Sequence, residues 1–146
     1  SHKTRDAALV PNDENAAPII TSLKTPLPVA APTFPITGQD ATQVGLQNIL
    51  SGYQCGTAYK PIYLEAQAAA ALAIYLRAGQ TPPSALVNGS TEDTTAKVSV
   101  PSVLLTPEWV TSSNMNSTVI ADGFVPASQL CTGSYAAECT AAGITP

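Results

Sequence analysis

The fold of this chain is decided by the stretch from Thr37 to Pro61, which reads TGQDATQVGLQNILSGYQCGTAYKP. Its middle, from about Ala41 to Leu50, has apolar residues at helical spacing, and Gly52 can end that helix. Gln54 to Tyr59 then predict a strand, and Lys60 stands at its end. A helix that leads into a strand is part of the repeating unit from which parallel sheets are built.

The segments on either side continue this alternation of strands and helices. The other predicted strands are Asp6–Pro11, Phe34–Gly38 and Val98–Leu105. The other predicted helices run from near Asp13 or Asn15 to before Pro26, from Ile62 to Arg77 and, as a short helix, from Thr106 to Val110. A proline-rich connector covers Pro26 to Pro35. The alternation predicts an α/β fold with a mostly parallel, doubly wound sheet and right-handed crossovers.

Composition excludes several classes of function. The 146 residues are enough for a domain with a hydrophobic core, and 45% of them are hydrophobic. Charged residues make up 11% and the net charge is −4, whereas nucleic-acid binding needs a basic surface. The longest apolar stretch, Ala66 to Leu76, is too short to span a bilayer. Ser1 and His2 resemble the remnant of an expression tag.

Catalytic interpretations find little support in the sequence. The only histidine is His2, so a Ser-His-Asp or Cys-His arrangement has no base. No glycine-rich phosphate loop or metal-spaced Cys/His cluster is present. The adjacent acids Asp13 and Glu14 are more typical of helix caps or solvated charges than of an acid/base pair. We therefore expect no enzyme activity, no cofactor and no metal site.

Three polar residues follow predicted strands: Asn12, Asp40 and Lys60. Ligands of doubly wound sheets bind beyond the carboxyl ends of strands, so these side chains are candidates for one site. An amide, a carboxylate and an ammonium group together can hydrogen-bond the neighbouring hydroxyls of a sugar. The alternative is that Asn12 and Asp40 cap helices while Lys60 is solvated. Trp109 could stack on a sugar ring, but its place in a short helix favours packing in the core.

The three cysteines suggest a compartment. Cys131 and Cys139 could close a small disulfide loop, which would place the protein outside the cytoplasm, or could be two reduced thiols in a loose tail. Cys55 lies in a predicted strand and is expected to be a buried, small hydrophobic residue rather than a nucleophile.

Five sequence blocks in a fixed order resemble a known family. They are Val10–Asp13 (VPND), Thr37–Ala41 (TGQDA), Thr57–Ile62 (TAYKPI), Pro101–Pro107 (PSVLLTP) and Val119–Phe124 (VIADGF). The order and spacing of the blocks are similar to the C-terminal part of the xylose-type sugar-binding proteins of bacterial ATP-binding cassette importers. These proteins have the ribose/galactose-binding "Venus flytrap" fold, the type I periplasmic-binding-protein fold. The resemblance covers nearly the whole chain.

The resemblance implies a site and a division of the chain. It assigns hydrogen bonds with a bound pentose to Asn12, Asp40 and Lys60. It implies two α/β lobes, of which this chain holds only part. Residues 1–56 would belong to the second lobe, residues 57–101 to a crossover and a first-lobe segment with the Ala-rich helix, and residues 102–146 to the return into the second lobe. Alone, that helix would expose Leu64, Leu72 and Leu76.

The resemblance also implies partners. A monosaccharide such as xylose would be the ligand and an ABC permease its recipient, at an extracytoplasmic location in the periplasm, secreted or lipid-anchored. The exposed helix would be covered by a complementary N-terminal fragment or in a swapped homo-oligomer. Two alternatives are a sugar-sensing regulator or receptor-linked sensor with the same fold, and a fragment that binds no ligand.

Overall fold

The computed structural model describes residues 6–24 and 34–145. Residues 1–5, which include the tag-like Ser1 and His2, and most of the connector predicted from Pro26 to Pro35 lie outside these ranges. The helices are α1 (Asp13–Lys24), α2 (Gln43–Leu50), α3 (Ile62–Arg77), α4 (Ala127–Leu130) and α5 (Ala136–Ala141). The strands are β1 (Thr37–Gln39), β2 (Gly56–Tyr59), β3 (Gly89–Asp93), β4 (Val98–Ser102) and β5 (Glu108–Val110). A π-helical turn covers Asn116–Ile120 and a 3₁₀ turn covers Gly133–Tyr135.

The described residues form two compact units. The first takes the chain up to Lys60 and again from Pro107, and the second is Pro61–Thr106. These limits lie close to the boundaries between lobe segments, at residues 57 and 102, that the family resemblance implies. Assignment of the units to particular lobes stays a prediction.

The first unit contains a three-stranded sheet in the order β1-β2-β5. β1 and β2 are parallel, with Gly38 opposite Thr57, and α2 connects them, which confirms the predicted α/β fold class with parallel strands. An isolated parallel bridge joins Ala8 to Ile36 where the first predicted strand was expected. β5 pairs with β2 in the antiparallel direction, so this sheet is mixed. The predicted helix from Thr106 to Val110 is therefore wrong.

Helix α2 forms because both of its ends are capped locally. The Thr42 hydroxyl accepts a hydrogen bond from the Gly45 N–H at 3.1 Å, as an N-cap side chain does. At the other end, the Ser51 N–H bonds to the Gln47 carbonyl, and Gly52 follows with a φ of 76°. The helix boundaries that the sequence predicts from its apolar spacing and from Gly52 are thus correct within two residues.

Two hydrophobic clusters hold the first unit together. The smaller one joins α1 to the segment before β1, and its buried members are Val10, Ala16, Ile20 and Ile36. The larger one packs α2 and the sheet against the C-terminal part of the chain. Its buried members are Ala41, Leu46, Ile49, Tyr59, Val110, Met115, Val119, Val125, Leu130, Cys131, Cys139 and Ile144. Tyr59 of β2 and Val110 of β5 belong to the larger cluster, so this cluster covers one face of the sheet.

The second unit consists of α3 and a β-hairpin. α3 spans Ile62–Arg77, as predicted, and none of its residues is buried. The hairpin pairs β3 with β4 in the antiparallel direction. The segment predicted as a fourth strand of the parallel sheet, Val98–Leu105, instead supplies the second arm of this hairpin with Val98–Ser102. Pro101 is compatible with a two-stranded hairpin because each strand is an edge strand.

The C-terminal segment is closed by a covalent link. Cys131 and Cys139 form a disulfide with their Cα atoms 5.7 Å apart, and Cys139 is buried in the larger cluster. Cys55 is exposed, so its prediction as a buried residue is wrong; its Sγ lies 3.1 Å from the Ile36 carbonyl oxygen. Among the helices of residues 6–24 and 34–145, none has the length and apolarity needed to cross a membrane.

Candidate functional site

Asp40 and Lys60 form an ion pair at one edge of the sheet. Asp40 follows β1 and Lys60 follows β2, and because these strands are parallel their carboxyl ends meet at the same edge. Lys60 Nζ lies 2.7 Å from Asp40 Oδ1. The Asp40 side chain is 41% exposed and that of Lys60 is 38% exposed, so a ligand can reach both. The structure thus brings together two of the three residues predicted as a site.

The backbone that carries Asp40 adopts an unusual conformation. Asp40 has a φ of 90° and Ala41 a φ of 49°, values that residues other than glycine adopt at an energetic cost. Three successive N–H groups hold this turn in place. The Asp40 N–H bonds to the Ala58 carbonyl at 2.9 Å, the Ala41 N–H to the Thr57 hydroxyl at 3.2 Å, and the Thr42 N–H to an Asp13 carboxylate oxygen at 2.8 Å. The turn directs Asp40 toward Lys60.

Asn12 lies at the start of α1. Its Oδ1 accepts a hydrogen bond from the Asn15 N–H at 2.9 Å, so it caps the helix as the alternative interpretation of the sequence predicts. Two residues earlier, the Val10 N–H bonds to the Thr37 hydroxyl, which places this segment beside β1. Within the described part of the chain, the Asn12 Nδ2 donates no hydrogen bond and remains available to a ligand. No direct bond between Asn12 and Asp40 or Lys60 is present among the described residues.

Asp13 is the residue at this edge whose role the sequence analysis missed. It is completely buried, whereas the sequence pattern indicated a cap or a solvated charge. Its carboxylate accepts hydrogen bonds from four donor groups on three residues, namely the N–H and hydroxyl of Thr42, the Gln54 amide and the Thr57 hydroxyl. One signal was available: Gly45 lies inside a predicted helix, where glycine is unfavourable unless a neighbour approaches closely.

Tyr59 connects Lys60 to the core. Its ring is buried, its hydroxyl donates to Asp122 Oδ2 at 3.0 Å, and its centroid lies 5.0 Å from that of Phe124. Asp122 and Phe124 belong to the VIADGF block. Tyr59 is therefore fixed against the C-terminal segment. Because Tyr59 immediately precedes Lys60, this contact also fixes the position of the Lys60 backbone.

Trp109 lies outside the core. It belongs to β5, opposite Ala58, and is 47% exposed, so its predicted packing in the core is wrong. Its indole ring covers Gly56, where an added Cβ would lie 2.5 Å from the ring atoms Cε2 and Cζ2. Ala58 and Gly56 point to the face of the sheet opposite Thr57, so Trp109 does too. Its side chain is accessible, but it lies on the opposite face from Asp13.

The first unit also has a concavity away from the Asp40–Lys60 pair. It has a volume of about 600 Å³ and is lined by the end of α2, the segment before the π-helical turn, and α5 with the residues that follow it. Leu50, Ser113 and Glu138 are among the lining residues. None of Asn12, Asp40 and Lys60 lines it. Among residues 6–24 and 34–145, no group of three or more His, Cys, Asp or Glu side chains could hold a metal ion.

Comparison with known proteins gives a consistent set of relatives. No protein-family model matches the chain. The D-xylose-binding periplasmic protein of Escherichia coli (strain K12) is 39% identical over 126 residues, which are 86% of this chain and 36% of that protein. The D-xylose-binding periplasmic protein of Haemophilus influenzae is 34% identical over 119 residues, covering 82% of this chain and 34% of the relative.

A third relative and a solved structure extend this set. The multiple sugar-binding periplasmic receptor ChvE of Rhizobium radiobacter is 33% identical over 127 residues, covering 86% of this chain and 35% of the relative. The crystal structure of a carbohydrate transporter solute-binding protein from Chloroflexus aurantiacus, in complex with D-glucose, matches with a TM-score of 0.71 and 29% identity. It covers 84% of this chain and 34% of that structure. The chain thus spans about a third of the length of its relatives.

Proposed function

Because this chain is homologous over most of its length to periplasmic sugar-binding proteins, we propose that it is part of a solute-binding protein that holds a monosaccharide between two lobes. A pentose such as xylose is the proposed ligand, and an ABC permease the proposed recipient. The observation that carries the proposal is the Asp40–Lys60 pair, half-exposed where two parallel strands end. The protein acts by binding, without covalent chemistry.

The proposed site suits the hydroxyl groups of a sugar. The Asp40 carboxylate can accept two or more hydrogen bonds, while the Lys60 ammonium group can donate three. In the free protein each satisfies the other, so the pair is oriented before the ligand arrives. Two neighbouring hydroxyls of a monosaccharide can bond to both groups at once, with charge-assisted bonds that are stronger than neutral ones. Asn12 Nδ2 supplies a further donor at the start of α1.

We further propose that the first unit belongs to the second lobe and that Pro61–Thr106 belongs to the first lobe. The apolar side chains of α3 support this assignment, because the helix buries none of them within the described chain. Ile74 is 70% exposed and Leu76 is 68% exposed, a degree of exposure that indicates a missing partner surface. A complementary N-terminal fragment, or a swapped second copy of the chain, would cover α3. Native mass spectrometry distinguishes the two by the mass of the complex.

An extracytoplasmic location follows from the same proposal. The Cys131–Cys139 disulfide supports it, since disulfides persist in oxidising compartments and are rare in the cytosol. The names of the relatives also place those proteins in the periplasm.

Isothermal titration of the whole protein against pentoses and hexoses tests the proposed function. We expect binding of at least one monosaccharide, and the absence of heat with any of them would refute the proposal. Replacing Asp40 by Ala should weaken binding by about 2 kcal/mol or more, because hydrogen bonds to a charged group are lost. Replacing Lys60 by Met should have a similar effect. The matched control is Glu92→Ala, which removes an exposed carboxylate from the β3–β4 hairpin and should leave affinity unchanged.

A receptor-linked sugar sensor is a second candidate, because one relative is named a sugar-binding receptor. Such a sensor would bind the same ligand with the same residues. Uptake of a radiolabelled sugar by cells that lack the gene separates the two functions. Loss of uptake supports transport, whereas unchanged uptake with a lost transcriptional response to the sugar supports the sensor.

A further inference from the structure

The buried carboxylate of Asp13 takes no part in the proposed ligand contacts. It is fully buried, yet within the described chain no basic side chain forms an ion pair with it. We infer that Asp13 is a positioning residue that holds the Asp40 turn in its ligand-binding conformation. This inference rests on the proposed function for its ligand, but its structural part can be tested without any ligand.

The surroundings of Asp13 suit a negative charge that only accepts hydrogen bonds. All four of its bonding partners donate: the Thr42 N–H and hydroxyl contact Oδ2, and the Gln54 amide and Thr57 hydroxyl contact Oδ1. Asp13 is also the first residue of α1, and Thr42 is the N-cap of α2. The carboxylate therefore lies at two helix N-termini, whose partial positive charges stabilise it in place of a basic side chain.

These bonds act on the strained turn that carries Asp40. The Thr42 N–H bonds to Asp13 directly. The Ala41 N–H bonds to the Thr57 hydroxyl, whose single proton is directed at Asp13 Oδ1 at 2.9 Å. Since the hydroxyl donates its proton in the hydrogen bond to Asp13, its oxygen is left to accept from the Ala41 N–H. Of the three amides that hold the turn, Asp13 therefore accepts from one directly and orients the acceptor of a second.

Two glycines provide the space that this arrangement needs. A Cβ at Gly38 or at Gly45 would collide with the Asp13 carboxylate oxygens. Neither glycine has a positive φ, so neither position requires glycine for its backbone conformation. The close approach of Asp13 is a reason for glycine at both positions, and at Gly38 the Gln54 amide would collide with the Cβ as well. The TGQDA block thus contains both Asp40 and Gly38, the glycine that leaves space for the Asp13 carboxylate.

Asn12 is affected by the same contacts because it immediately precedes Asp13. Fixing the carboxylate of Asp13 against Thr42, Gln54 and Thr57 fixes the start of α1 against the β1–α2 turn and β2. One buried side chain therefore connects the backbone segments that carry all three proposed ligand contacts.

Amide hydrogen exchange read by NMR in the whole protein tests the structural part. In Asp13→Asn and in Thr57→Val, we expect the Ala41 and Thr42 amides to exchange at least about tenfold faster. The Asp40 amide, bonded to the Ala58 carbonyl, is an internal reference that should change less. Thr57→Ser keeps the hydroxyl and should keep the protection of Ala41. Thr140→Val, which removes an exposed helical hydroxyl bond, is the control.

Unchanged exchange at Ala41 and Thr42 in Thr57→Val or Asp13→Asn overturns the inference, as does equal acceleration by Thr57→Ser and Thr57→Val. If Asp13→Asn does not fold, exchange of the Thr42 amide in Thr57→Val decides, because Thr57 bonds to the Ala41 amide directly but to the Thr42 amide only through Asp13. If the wild-type protein binds no monosaccharide, the proposed function fails while this experiment still gives its answer.

Sugar affinity tests the functional part through a double-mutant cycle. Asp13→Asn should weaken binding at least about tenfold when Asp40 is present and by a clearly smaller factor in the Asp40→Ala background, because its effect on the ligand acts mainly through Asp40. An equal loss in both backgrounds would mean that Asp13 contributes only to general stability. Thr57→Val should weaken binding more than Thr57→Ser in the protein that retains Asp40.

Discussion

Replacing Gly45 by Ala should destabilise the protein, although alanine is the better helix former. Gly45 lies in the first turn of α2 with a negative φ, and helix propensity alone predicts a gain of up to about 1 kcal/mol. The added Cβ would, however, collide with the Asp13 carboxylate, with the Asp13 Cβ itself 2.9 Å away. The carboxylate would then have to leave its position between the two helix N-termini.

The size of this destabilisation follows from the hydrogen bonds that Asp13 would lose. Displacing Asp13 removes its bonds to the Thr42 N–H at 2.8 Å and to the Thr42 hydroxyl at 3.2 Å. Each hydrogen bond to a charged group contributes about 1.5–3 kcal/mol, and the longer one contributes less. After subtraction of the helix-propensity gain, we expect a net loss of about 2–4 kcal/mol in the free energy of unfolding.

Urea unfolding followed by circular dichroism measures this change, with the slope of the transition compared between variants. The cost of Gly45→Ala should fall in an Asp13→Ala background, because the colliding oxygens are absent there. A stabilisation of up to about 1 kcal/mol by Gly45→Ala alone would refute the reasoning, since helix propensity would then be the dominant effect.

Three further predictions concern single interactions. Lys60→Met should change the free energy of unfolding by less than about 1 kcal/mol, because Lys60 and its partner Asp40 are both more than a third exposed. A larger loss in urea unfolding would contradict this. Tyr59→Phe should cost about 1.5–3 kcal/mol through loss of the bond to the Asp122 carboxylate, measured by the same method against Tyr63→Phe as an exposed control. The Cys131→Ser/Cys139→Ser double variant should lose about 2–3 kcal/mol, as a loop with a sequence separation of 8 residues implies; no shift in the midpoint would contradict it.

Local signals in the sequence were sufficient for the elements next to the site. α3 begins and ends where its alanine-rich pattern predicts, because helix formation depends on neighbours three and four residues apart. β1 and β2 are identified by the turn residues around them, and Asp40 and Lys60 follow from their position after those strands. The parallel pairing of the two strands is implied by the helix between them.

Pairing between distant segments could not be read in this way. Thr106–Glu108 carries good helix-start signals, yet Glu108–Val110 forms a strand because it pairs with the edge of β2. Val98–Ser102 has strand character, but nothing local shows that its partner is Gly89–Asp93 rather than the parallel sheet. The exposure of Trp109 and Cys55 likewise depends on which segments lie beside them, and both were predicted wrongly from local pattern.

The sequence by itself therefore determined the strand–helix–strand stretch from Thr37 to Pro61 and the polar residues at its strand ends, because both depend on local spacing, helix ends and turn residues. Only the tertiary structure decided that Asp40 and Lys60 form a pair 2.7 Å apart and that Asp13 is buried beneath the turn. The physical reason is the sequence distance of the partners. Asp13 reaches Thr42 and Thr57 across 29 and 44 residues, and no local propensity records such contacts.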